Sequence, residues 1–594
     1  MMKHSLLILP VLTALLIAAY FMSLPDIREK PEVIRDVKKG KGKDILVCAL
    51  ITLVCGSVAF FKLGDRVAPQ TFSDFTYTET VLLELEDTQS ADSLMLYSGI
   101  TTGSVNLEFS NDGVQFWELT YDQNYAELIK WHKIDIPAEL GGELRYIRLS
   151  LINGNPRIGE IAVISGDSRL QLKTAPGFEA LTDEQETVPA DTNYMNSSYF
   201  DEIYHARTAE EHIEGMNPYE ISHPPLGKLI LSLGIRLFGL TPFGWRFSGT
   251  LCGVLMLPVM YLLLSEMFGS TLVSACGTLL FATDFMQYTQ TRIATIDSYA
   301  VLFILLMYCF MYRYICRDNN RDLALSGLFF GLGAASKWTC FYAGAGLALI
   351  WACHWARRII REKDCRRRTL AEFIKNCGFC LIFFVALPAL IYYLSYYPYG
   401  IAKGLYAPGM FLSREYLDTV LQNQNFMLSY HKGVTATHPY SSVWYQWVLD
   451  IRPILYYLKY YPDGTRASFG AFVNPVLCWG GLVAVLMLLF VSVKHRDRTA
   501  AFILTGYLAQ LVPWMFVTRI LFEYHYYACT VFLTLAMGWT FSQMKNMKYG
   551  KLMIAGLTAL SVCLFFLFYP VLRGVRINGE TATKLLQWLP TWPF

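Results

Sequence analysis

Charged residues are scarce in this chain of 594 residues, since Asp, Glu, Lys and Arg together make up only 16% of it. Soluble domains carry roughly 25% charged residues. Here hydrophobic side chains fill the deficit and reach 54%. The formal net charge of +2 provides no basic excess with which to bind nucleic acid. The composition therefore excludes an ordinary soluble domain, gives no reason to expect a nucleic-acid partner, and favours a protein surrounded by membrane lipids.

Cysteine is absent from two long stretches, 63–245 and 395–471, although the chain contains fourteen cysteines. These stretches are therefore not disulfide scaffolds. Cys377 and Cys380 have the spacing of a zinc ligand pair, but they begin an apolar segment without a second pair, which indicates packing. We predict no metal and no cofactor.

Apolar segments long enough to cross a hydrocarbon core of about 30 Å recur along the chain. The segment 226–240 carries Lys228 and Arg236 and is predicted to lie in the membrane interface. Residues 1–22 are interpreted as a retained span, with a signal peptide as the alternative. Twelve spans are predicted, near 5–22, 44–62, 246–264, 270–288, 296–312, 323–336, 340–355, 374–394, 472–493, 501–518, 525–541 and 552–570.

Lys and Arg collect in short loops, which predicts the orientation of the spans because such loops stay in the cytoplasm. The basic segments are 26–43, 356–368, 494–498 and 545–551. The segments 63–245, 289–295, 395–471, 519–524 and the C-terminal tail then share the outer side. We therefore expect a multi-pass membrane protein with its functional loops outside the cytoplasm.

Period-2 alternation replaces the apolar runs between about 70 and 170, with turn residues between short strands. This pattern predicts an antiparallel β domain, and NLEFSNDGVQFWEL followed by LRYIRLSL resembles discoidin-like jelly rolls. Such a domain could capture a glycan or an acceptor, or it could be a lid or spacer without a ligand. The predicted division is 1–67 (N-terminal spans), 68–170 (β jelly roll), 171–245 (linker and catalytic outer loop) and 246–594 (transmembrane core with the outer loop 395–471).

The adjacent carboxylates Asp201 and Glu202 follow this region, and His205 lies one helical turn beyond Asp201. A carboxylate at the membrane surface can accept a proton from an attacking hydroxyl, so Asp201 is a candidate general base. The alternative is structural, with Asp201 capping a helix and Glu202 simply solvated.

Charged residues also occur in other predicted outer turns: Arg292 and Asp297, then Lys337, then Arg519. Cations from separate loops can converge on one anion, and the planar fork of arginine suits a phosphate. For each residue alone, snorkelling to the interface is the alternative. In the outer loop 395–471, His431, His438 and Trp444 lie among aromatic residues that either form an interfacial belt or stack on a sugar or polyprenyl chain. Their histidines lack a usual zinc spacing.

Six blocks in order carry a specific resemblance: FDEIYHARTA, HPPLGKLI, QTRIATIDSYAVLF, ASKWTCFY, HPYSSVWYQWVLDIRPILYY and RILFEYHYYACTVFL. Together they resemble the protein O-mannosyltransferases, which use polyprenyl-phosphate sugars and have the GT-C fold. The match runs from about 199 to 541. The resemblance implies an α-helical polytopic membrane fold of the GT-C type, here with an inserted extracytoplasmic β jelly roll.

The resemblance also implies a reaction, the inverting transfer of a hexose, typically mannose, from a dolichyl- or polyprenyl-phosphate carrier to Ser or Thr of proteins. Asp201 would be the general base and Glu202 would help to hold the acceptor. Arg519, Arg292 and Lys337 would neutralise the departing phosphate. Further substrate-binding candidates in these blocks are His205, His223, Lys228, Asp297, His438, Trp444 and His525.

The chain departs from the eukaryotic pattern of the family. The loop 395–471 is too short for the large luminal β-trefoil insertion, and a β domain precedes the DE motif instead. These differences from the family indicate a bacterial type of enzyme that acts at the outer face of the plasma membrane. The alternatives are a related transferase acting on a glycan, lipid or wall polymer, a non-catalytic glycan receptor, and a transporter. Eukaryotic relatives are dimers, so an oligomer is possible.

Overall fold

The computed structural model describes residues 42–594, a helical body with a β region between its first two helices. The predicted span at 5–22 lies outside the described residues. The first helices are α1 (Gly42–Phe60), α2 (Glu202–Glu214), α3 (Leu226–Phe238), α4 (Pro242–Phe268), α5 (Thr271–Ala282), α6 (Phe285–Thr291), α7 (Asp297–Arg317), α8 (Asn320–Ala334) and α9 (Thr339–Arg361). The later helices are α10 (Arg366–Leu381), α11 (Leu387–Ser395), α12 (Tyr397–Ala402), α13 (Arg414–Gly433), α14 (Trp444–Val448), α15 (Pro475–Lys494), α16 (Arg498–Leu511), α17 (Tyr527–Met544), α18 (Gly550–Arg573) and α19 (Gly579–Leu586).

Seven of the described helical segments are long and apolar enough to cross a membrane. They are Gly42–Phe60, Pro242–Phe268, Asp297–Arg317, Arg366–Ala402, Pro475–Lys494, Arg498–Phe516 and Gly550–Arg573. The predicted spans at 323–336, 340–355 and 525–541 are also helical but fall outside this set. The prediction of a polytopic helical membrane protein is confirmed.

The predicted span at 270–288 is broken, because α5 ends at Ala282 and α6 begins at Phe285. Asp284 causes the interruption: its side chain accepts a hydrogen bond from the backbone N–H of Gln287 and so caps α6. The other oxygen of Asp284 accepts from the backbone N–H of Asn474, 2.9 Å away. The break therefore ties the start of α6 to the start of α15.

The β region consists of two five-stranded antiparallel sheets. The strands are β1 (Ser73–Asp74), β2 (Thr80–Ser90), β3 (Ser93–Ser98), β4 (Gly103–Ser110), β5 (Trp117–Gln123), β6 (Trp131–Asp135), β7 (Glu143–Gly154), β8 (Arg157–Ser165), β9 (Ser168–Leu170) and β10 (Leu172–Lys173). One sheet has the order β1-β8-β3-β6 with β9 on β8, and the other the order β10-β2-β7-β4-β5. Alternate residues such as Val81, Leu83 and Leu85 of β2 are buried between the sheets, as a half-buried strand requires. The assignment as a discoidin-like jelly roll stays a prediction.

The turn before β6 joins the β region to the helical body. Leu128 and Ile129 pack with Ala206 and Ala209 of α2 in one buried apolar cluster. Ser198 donates from its backbone N–H to the carbonyl of Ile129 at 3.0 Å and from its hydroxyl to the carbonyl of Leu128 at 2.7 Å. The segment that leads into α2 is thus fixed by the β region.

A third, smaller sheet packs next to the segment that precedes Asp201. It is formed by β11 (Ile454–Tyr460), β12 (Thr465–Ala471) and β13 (Ile577–Asn578). Phe469 of β12 packs edge-on against Tyr199, with ring centroids 4.9 Å apart. The sheet therefore supports the residues that precede Asp201.

Candidate active site

Asp201 lies at the N-cap position of α2, but its side chain makes no capping hydrogen bond. The residue before it, Phe200, has a positive φ of 48°, a conformation that costs a non-glycine residue about 1–2 kcal/mol. Packing stabilises this backbone conformation of Phe200, since the ring centroids of Phe200 and Tyr456 are 4.7 Å apart. Asp201 thus occupies the N-cap position of the alternative interpretation without using its carboxylate as a cap, and Glu202 is buried rather than solvated.

The carboxyl of Asp201 is in a poorly solvated, like-charged environment. Burial and, after it, the negative charge of Asp297 raise its pKa, Lys337 opposes the shift, and the resulting pKa is about 7. A carboxyl with this pKa exchanges a proton near neutral pH, as a general base must.

Glu202 has the opposite environment, because it is fully buried and all its partners are protein groups. Arg246 binds it with both ends of the guanidinium, Nε to Oε1 at 2.7 Å and Nη2 to Oε2 at 2.8 Å. The backbone N–H groups of Ala294 and Tyr199 also donate to it. No oxygen of Glu202 is left to hold an acceptor, which differs from the sequence-based expectation. Its position suits the fixing of α2 instead.

Glu220 gathers three of the predicted substrate-binding residues. Lys228 is fully buried and donates to its carboxylate at 2.5 Å, and His223 Nδ1 lies 3.1 Å from the other oxygen. His205 Nδ1 is 4.0 Å away. Burial alone would raise the pKa of Glu220, but Lys228 and His223 hold it well below its usual value. Lys228 therefore serves the ion pair rather than a substrate, again unlike the expectation.

His205 is buried beside this group and carries no charge at neutral pH. Burial lowers its pKa to about 3, against the opposing charge of Glu220. Its Nδ1 has no hydrogen-bond partner among the described residues. A neutral imidazole here can donate or accept one hydrogen bond without adding charge next to Asp201.

Lys337 and Asp297 form a direct ion pair, with Nζ 2.6 Å from Oδ1. Asp297 is the first residue of α7, where the helix dipole favours a negative charge. The ammonium of Lys337 also lies 5.7 Å from the ring centroid of Tyr524. The structure thus brings both predicted residues to the Asp201 side of the helical body.

The two predicted phosphate-binding arginines differ in how far their guanidinium donors are already occupied by protein groups. Arg519 is half-buried and donates only to the neighbouring carbonyl of Ile520, at 3.3 Å, among the bonds of the described chain. Arg292 is buried, with Nη2 donating to the carbonyl of Lys62 at 2.8 Å and Nη1 donating to Ala59 and Phe61. Arg292 therefore satisfies carbonyls at the C-terminal end of α1, and only Arg519 has donors left for an anion.

The remaining predicted residues, His438, Trp444 and His525, each pack against aromatic rings. The His525 ring stacks on Tyr524 with centroids 4.5 Å apart, and burial, with Lys337 and Arg519 nearby, lowers the His525 pKa well below its usual value. His438 packs edge-on against Phe522 at 5.1 Å. Trp444 is half-buried and contacts Tyr445 at 5.7 Å.

Three site residues were missed from the sequence: Glu220, Arg246 and Tyr456. A signal existed for the first two, because a buried cation needs a partner. Arg246 is a charge at the first residue of an apolar span, and Lys228 is a charge in an apolar helix. Tyr456 donates from its buried hydroxyl to Gln290 Oε1, a contact that no local pattern indicates.

Residues 42–594 contain no group of three or more His, Cys, Asp or Glu side chains arranged to hold a metal ion. The expectation that the reaction uses no metal stays a prediction.

Comparison with known proteins identifies the family. Two family models match the chain. The model described as "Dolichyl-phosphate-mannose-protein mannosyltransferase" matches residues 222–392, and the model described as "C-terminal four TMM region of protein-O-mannosyltransferase" matches residues 416–592. A polyprenol-phosphate-mannose–protein mannosyltransferase of Mycolicibacterium smegmatis is 25% identical over 454 residues, 66% of this chain and 87% of the relative. One of Mycobacterium tuberculosis is 26% identical over 432 residues, 63% of this chain and 81% of the relative.

A solved structure shares the fold. The S. cerevisiae protein O-mannosyltransferase complex bound to the sugar donor superposes with a TM-score of 0.58 at 13% identity, covering 67% of this chain and 89% of that one. The predicted GT-C fold and the predicted family are confirmed. The chain is an enzyme of the protein mannosyltransferase type and belongs to the protein O-mannosyltransferase family.

Proposed function

We propose that this enzyme transfers mannose from a polyprenyl phosphate to Ser or Thr hydroxyls of proteins, at the outer membrane face and with inversion at the sugar. The names of the matched relatives support mannose, the lipid carrier and a protein acceptor. Asp201 is the general base, and Arg519 binds the phosphate of the carrier.

The observation that carries this proposal is the difference between the two adjacent carboxylates. Glu202 has every oxygen occupied by protein donors, whereas Asp201 is left without a capping bond beside Asp297 and Lys337. The fold thus uses one carboxylate to hold α2 and leaves the other able to exchange a proton. Packing alone does not require such an environment.

Arg519 lies on the same side of the molecule as Asp201. Burial raises the pKa of Tyr430; the charge of Asp201 adds to this shift and that of Arg519 opposes it. The same two charges act on the hydroxyl of Tyr524. A base and a cation that act on the same two tyrosines are close enough to serve one sugar phosphate, and an in-line displacement needs both.

The reaction then follows with its protons and electrons balanced. Asp201 accepts the proton of the Ser or Thr hydroxyl as the oxygen attacks the anomeric carbon. The bond from that carbon to the phosphate oxygen breaks, and the phosphate leaves with the electron pair. Arg519 stabilises the added negative charge, and Lys337 contributes while paired with Asp297. Asp201 finally releases its proton to water.

The direction of the helices supports an outer location for the site. Helix α7 begins at Asp297, and α9 begins just after Lys337, while α9 ends within the basic segment 356–368. Helix α17 begins just after His525 and ends before the basic segment 545–551. The site and the basic loops are therefore at opposite ends of these helices, and basic loops face the cytoplasm.

The direct test is mannose transfer by the purified full chain in nanodiscs, with polyprenyl-phosphate mannose and a set of Ser/Thr peptides. We expect labelled peptide from the wild type, and a rate lower by about 10²–10⁴-fold for Asp201→Asn. The thermal midpoint of Asp201→Asn should not fall, because the substitution removes a poorly solvated charge.

The acceptor and the base are tested separately by this design. Donor binding without labelled peptide, together with label in glycan or lipid, would overturn the protein acceptor. Full activity of Asp201→Asn would overturn the role of Asp201.

A further inference from the structure

Three tyrosines from separate parts of the chain stand in a near-parallel row beside the active site. The rings of Tyr125 and Tyr204 have centroids 6.4 Å apart and planes inclined by 19°. Those of Tyr204 and Tyr219 are 6.3 Å apart and inclined by only 6°. We call this row, Tyr125, Tyr204 and Tyr219, the tyrosine row. Tyr125 comes from the β region, Tyr204 from α2 and Tyr219 from the segment before α3.

The row is accessible from outside. Tyr125 is 50% exposed and Tyr219 is 46% exposed, while Tyr204 between them is half-buried. Tyr430 of α13, which is 47% exposed, lies close enough to act electrostatically on the hydroxyl of Tyr204. Exposed aromatic rings gathered in this way are typical of binding surfaces rather than of a folding core.

The row is also rigid, which a binding surface needs. The guanidinium of Arg207 lies 3.9 Å from the ring centroid of Tyr219 and donates to Glu211 at 2.8 Å. Glu211 in turn accepts from the backbone N–H of Tyr219 at 2.6 Å. At the other end, Asn124 caps the turn that carries Tyr125. Ordering these side chains therefore costs little when a partner binds.

The middle ring of the row belongs to a residue one helical turn from the proposed base. Tyr204 is three residues after Asp201 in α2, and its backbone N–H donates to the Asp201 carbonyl at 3.1 Å. Burial raises the pKa of Tyr204 and the charge of Asp201 raises it further. A chain lying along the row would therefore have its nearest residue within reach of Asp201.

The spacing of the rings fits an extended polypeptide. An extended chain rises about 3.2–3.4 Å per residue and its alternate side chains point to the same side, so side chains on one side are about 6.4–6.8 Å apart. The two ring separations, 6.4 and 6.3 Å, are close to this spacing. Tyrosine offers a ring on which proline or aliphatic side chains pack, and a hydroxyl that binds backbone groups. Grooves lined by such rings are a recurrent way of binding proline-rich segments.

We propose that the tyrosine row binds the acceptor polypeptide in an extended conformation, next to the Ser or Thr that is modified, and that the β region supplies part of this acceptor site through Tyr125. The inference rests on the proposed function. The row selects acceptors with proline or aliphatic residues near the hydroxyl, and the β region is a component of the enzyme's specificity.

The test compares Tyr125→Ala, Tyr125→Phe and Tyr219→Ala with a matched control, Tyr77→Ala, another exposed tyrosine of the β region (72% exposed) outside the row. The substrates are two Thr peptides, one with proline and valine beside the Thr and one with glycine there. For Tyr125→Ala and Tyr219→Ala we expect KM for the proline peptide to rise about tenfold with kcat within about twofold. Tyr125→Phe should keep most of the affinity, and Tyr77→Ala should match the wild type.

The outcomes separate this inference from the proposed function. If the wild type labels no peptide, the proposed function fails. If the wild type labels peptides and Tyr125→Ala has an unchanged KM and an unchanged preference between the two peptides, the inference fails while the function stands. If the alanine variants instead lose inhibition by free mannan oligosaccharides and keep their peptide KM, the row binds a glycan and the inference is overturned.

Discussion

The ammonium of Lys337 lies 2.6 Å from a carboxylate oxygen of Asp297, and the two charges act in opposite directions on Asp201. After burial, Asp297 is the main influence that raises the pKa of Asp201 to about 7, and Lys337 lowers it. The pair therefore adjusts the pH at which the proposed base becomes active.

The first prediction concerns pH. Below a pKa of about 7 the Asp201 carboxyl is protonated and cannot accept the acceptor's proton. The kcat/KM for peptide should therefore fall about tenfold per pH unit below 7 and level off above it. A pH–rate profile of mannose transfer with saturating donor measures this. A flat profile between pH 5 and 7 would contradict it.

The second prediction concerns a shift in the pH at which the kcat/KM profile inflects. Asp297→Asn removes a negative charge and releases Lys337, and both changes favour the ionised form of Asp201. The inflection should shift to lower pH. The comparison uses the same pH series on both proteins, and an inflection that stays near 7 would show that burial alone sets the pKa.

The third prediction separates two arginines. Arg519→Gln should lower kcat by about 10²–10³-fold without changing the thermal midpoint, because its guanidinium has donors left for the leaving phosphate. Arg292→Gln is the matched comparison and should lower the thermal midpoint, since it removes donors to the carbonyls of Ala59, Phe61 and Lys62. Transfer assays and thermal unfolding in detergent measure both. The assignment is wrong if Arg519→Gln retains full kcat.

The fourth prediction concerns the pair of Glu202 and Arg246, which are 0% and 1% exposed. Arg246→Ala leaves a buried carboxylate without its partner and should destabilise the protein by about 3–5 kcal/mol. Lys584→Ala, which breaks the exposed pair with Glu580, is the control and should cause no measurable change. Denaturant unfolding in detergent compares the two. Equal stability of both variants would refute the structural role of Arg246.

The fifth prediction concerns Glu220, whose pKa in the folded protein is held below its usual value of 4.5. A lowered carboxyl pKa stabilises the fold above about pH 4.5, and the stabilisation is lost as the pH falls through the folded-state pKa. Glu220→Gln should therefore be less stable at pH 7, because Lys228 is left buried without a counter-charge. As the pH is lowered below about 4.5, the thermal midpoint of Glu220→Gln should also fall less than that of the wild type. A variant as stable as the wild type at pH 7 would contradict this.

Much of the architecture follows from local patterns. Apolar runs predicted spans at 472–493 and 552–570, where the structure has the helices Pro475–Lys494 and Gly550–Arg573. Period-2 alternation predicted strands between about 70 and 170, and Thr80–Ser90 is one of them. The prediction failed at 270–288, where the polar Asp284 interrupts an apolar run. The capping bond to Gln287 and the contact with Asn474 stabilise a break that hydropathy alone does not reveal.

The sequence by itself determined the membrane class through its composition and the inserted β region through its period-2 alternation. The ordered motifs determined the family and Asp201 as candidate base. All of these features can be read along the chain without knowing which residues meet in space. Only the tertiary structure decided which charges are available. Arg292 and Arg519 both lie in predicted outer turns. In the structure Arg292 donates to carbonyls at the end of α1, whereas Arg519 donates only to the neighbouring carbonyl of Ile520 among the described residues. Likewise Glu202 is neutralised by Arg246 across 44 positions of sequence, while its neighbour Asp201 is left beside a like charge. Partners distant in sequence set the charge, burial and pKa of each group, and the folded chain alone brings them together.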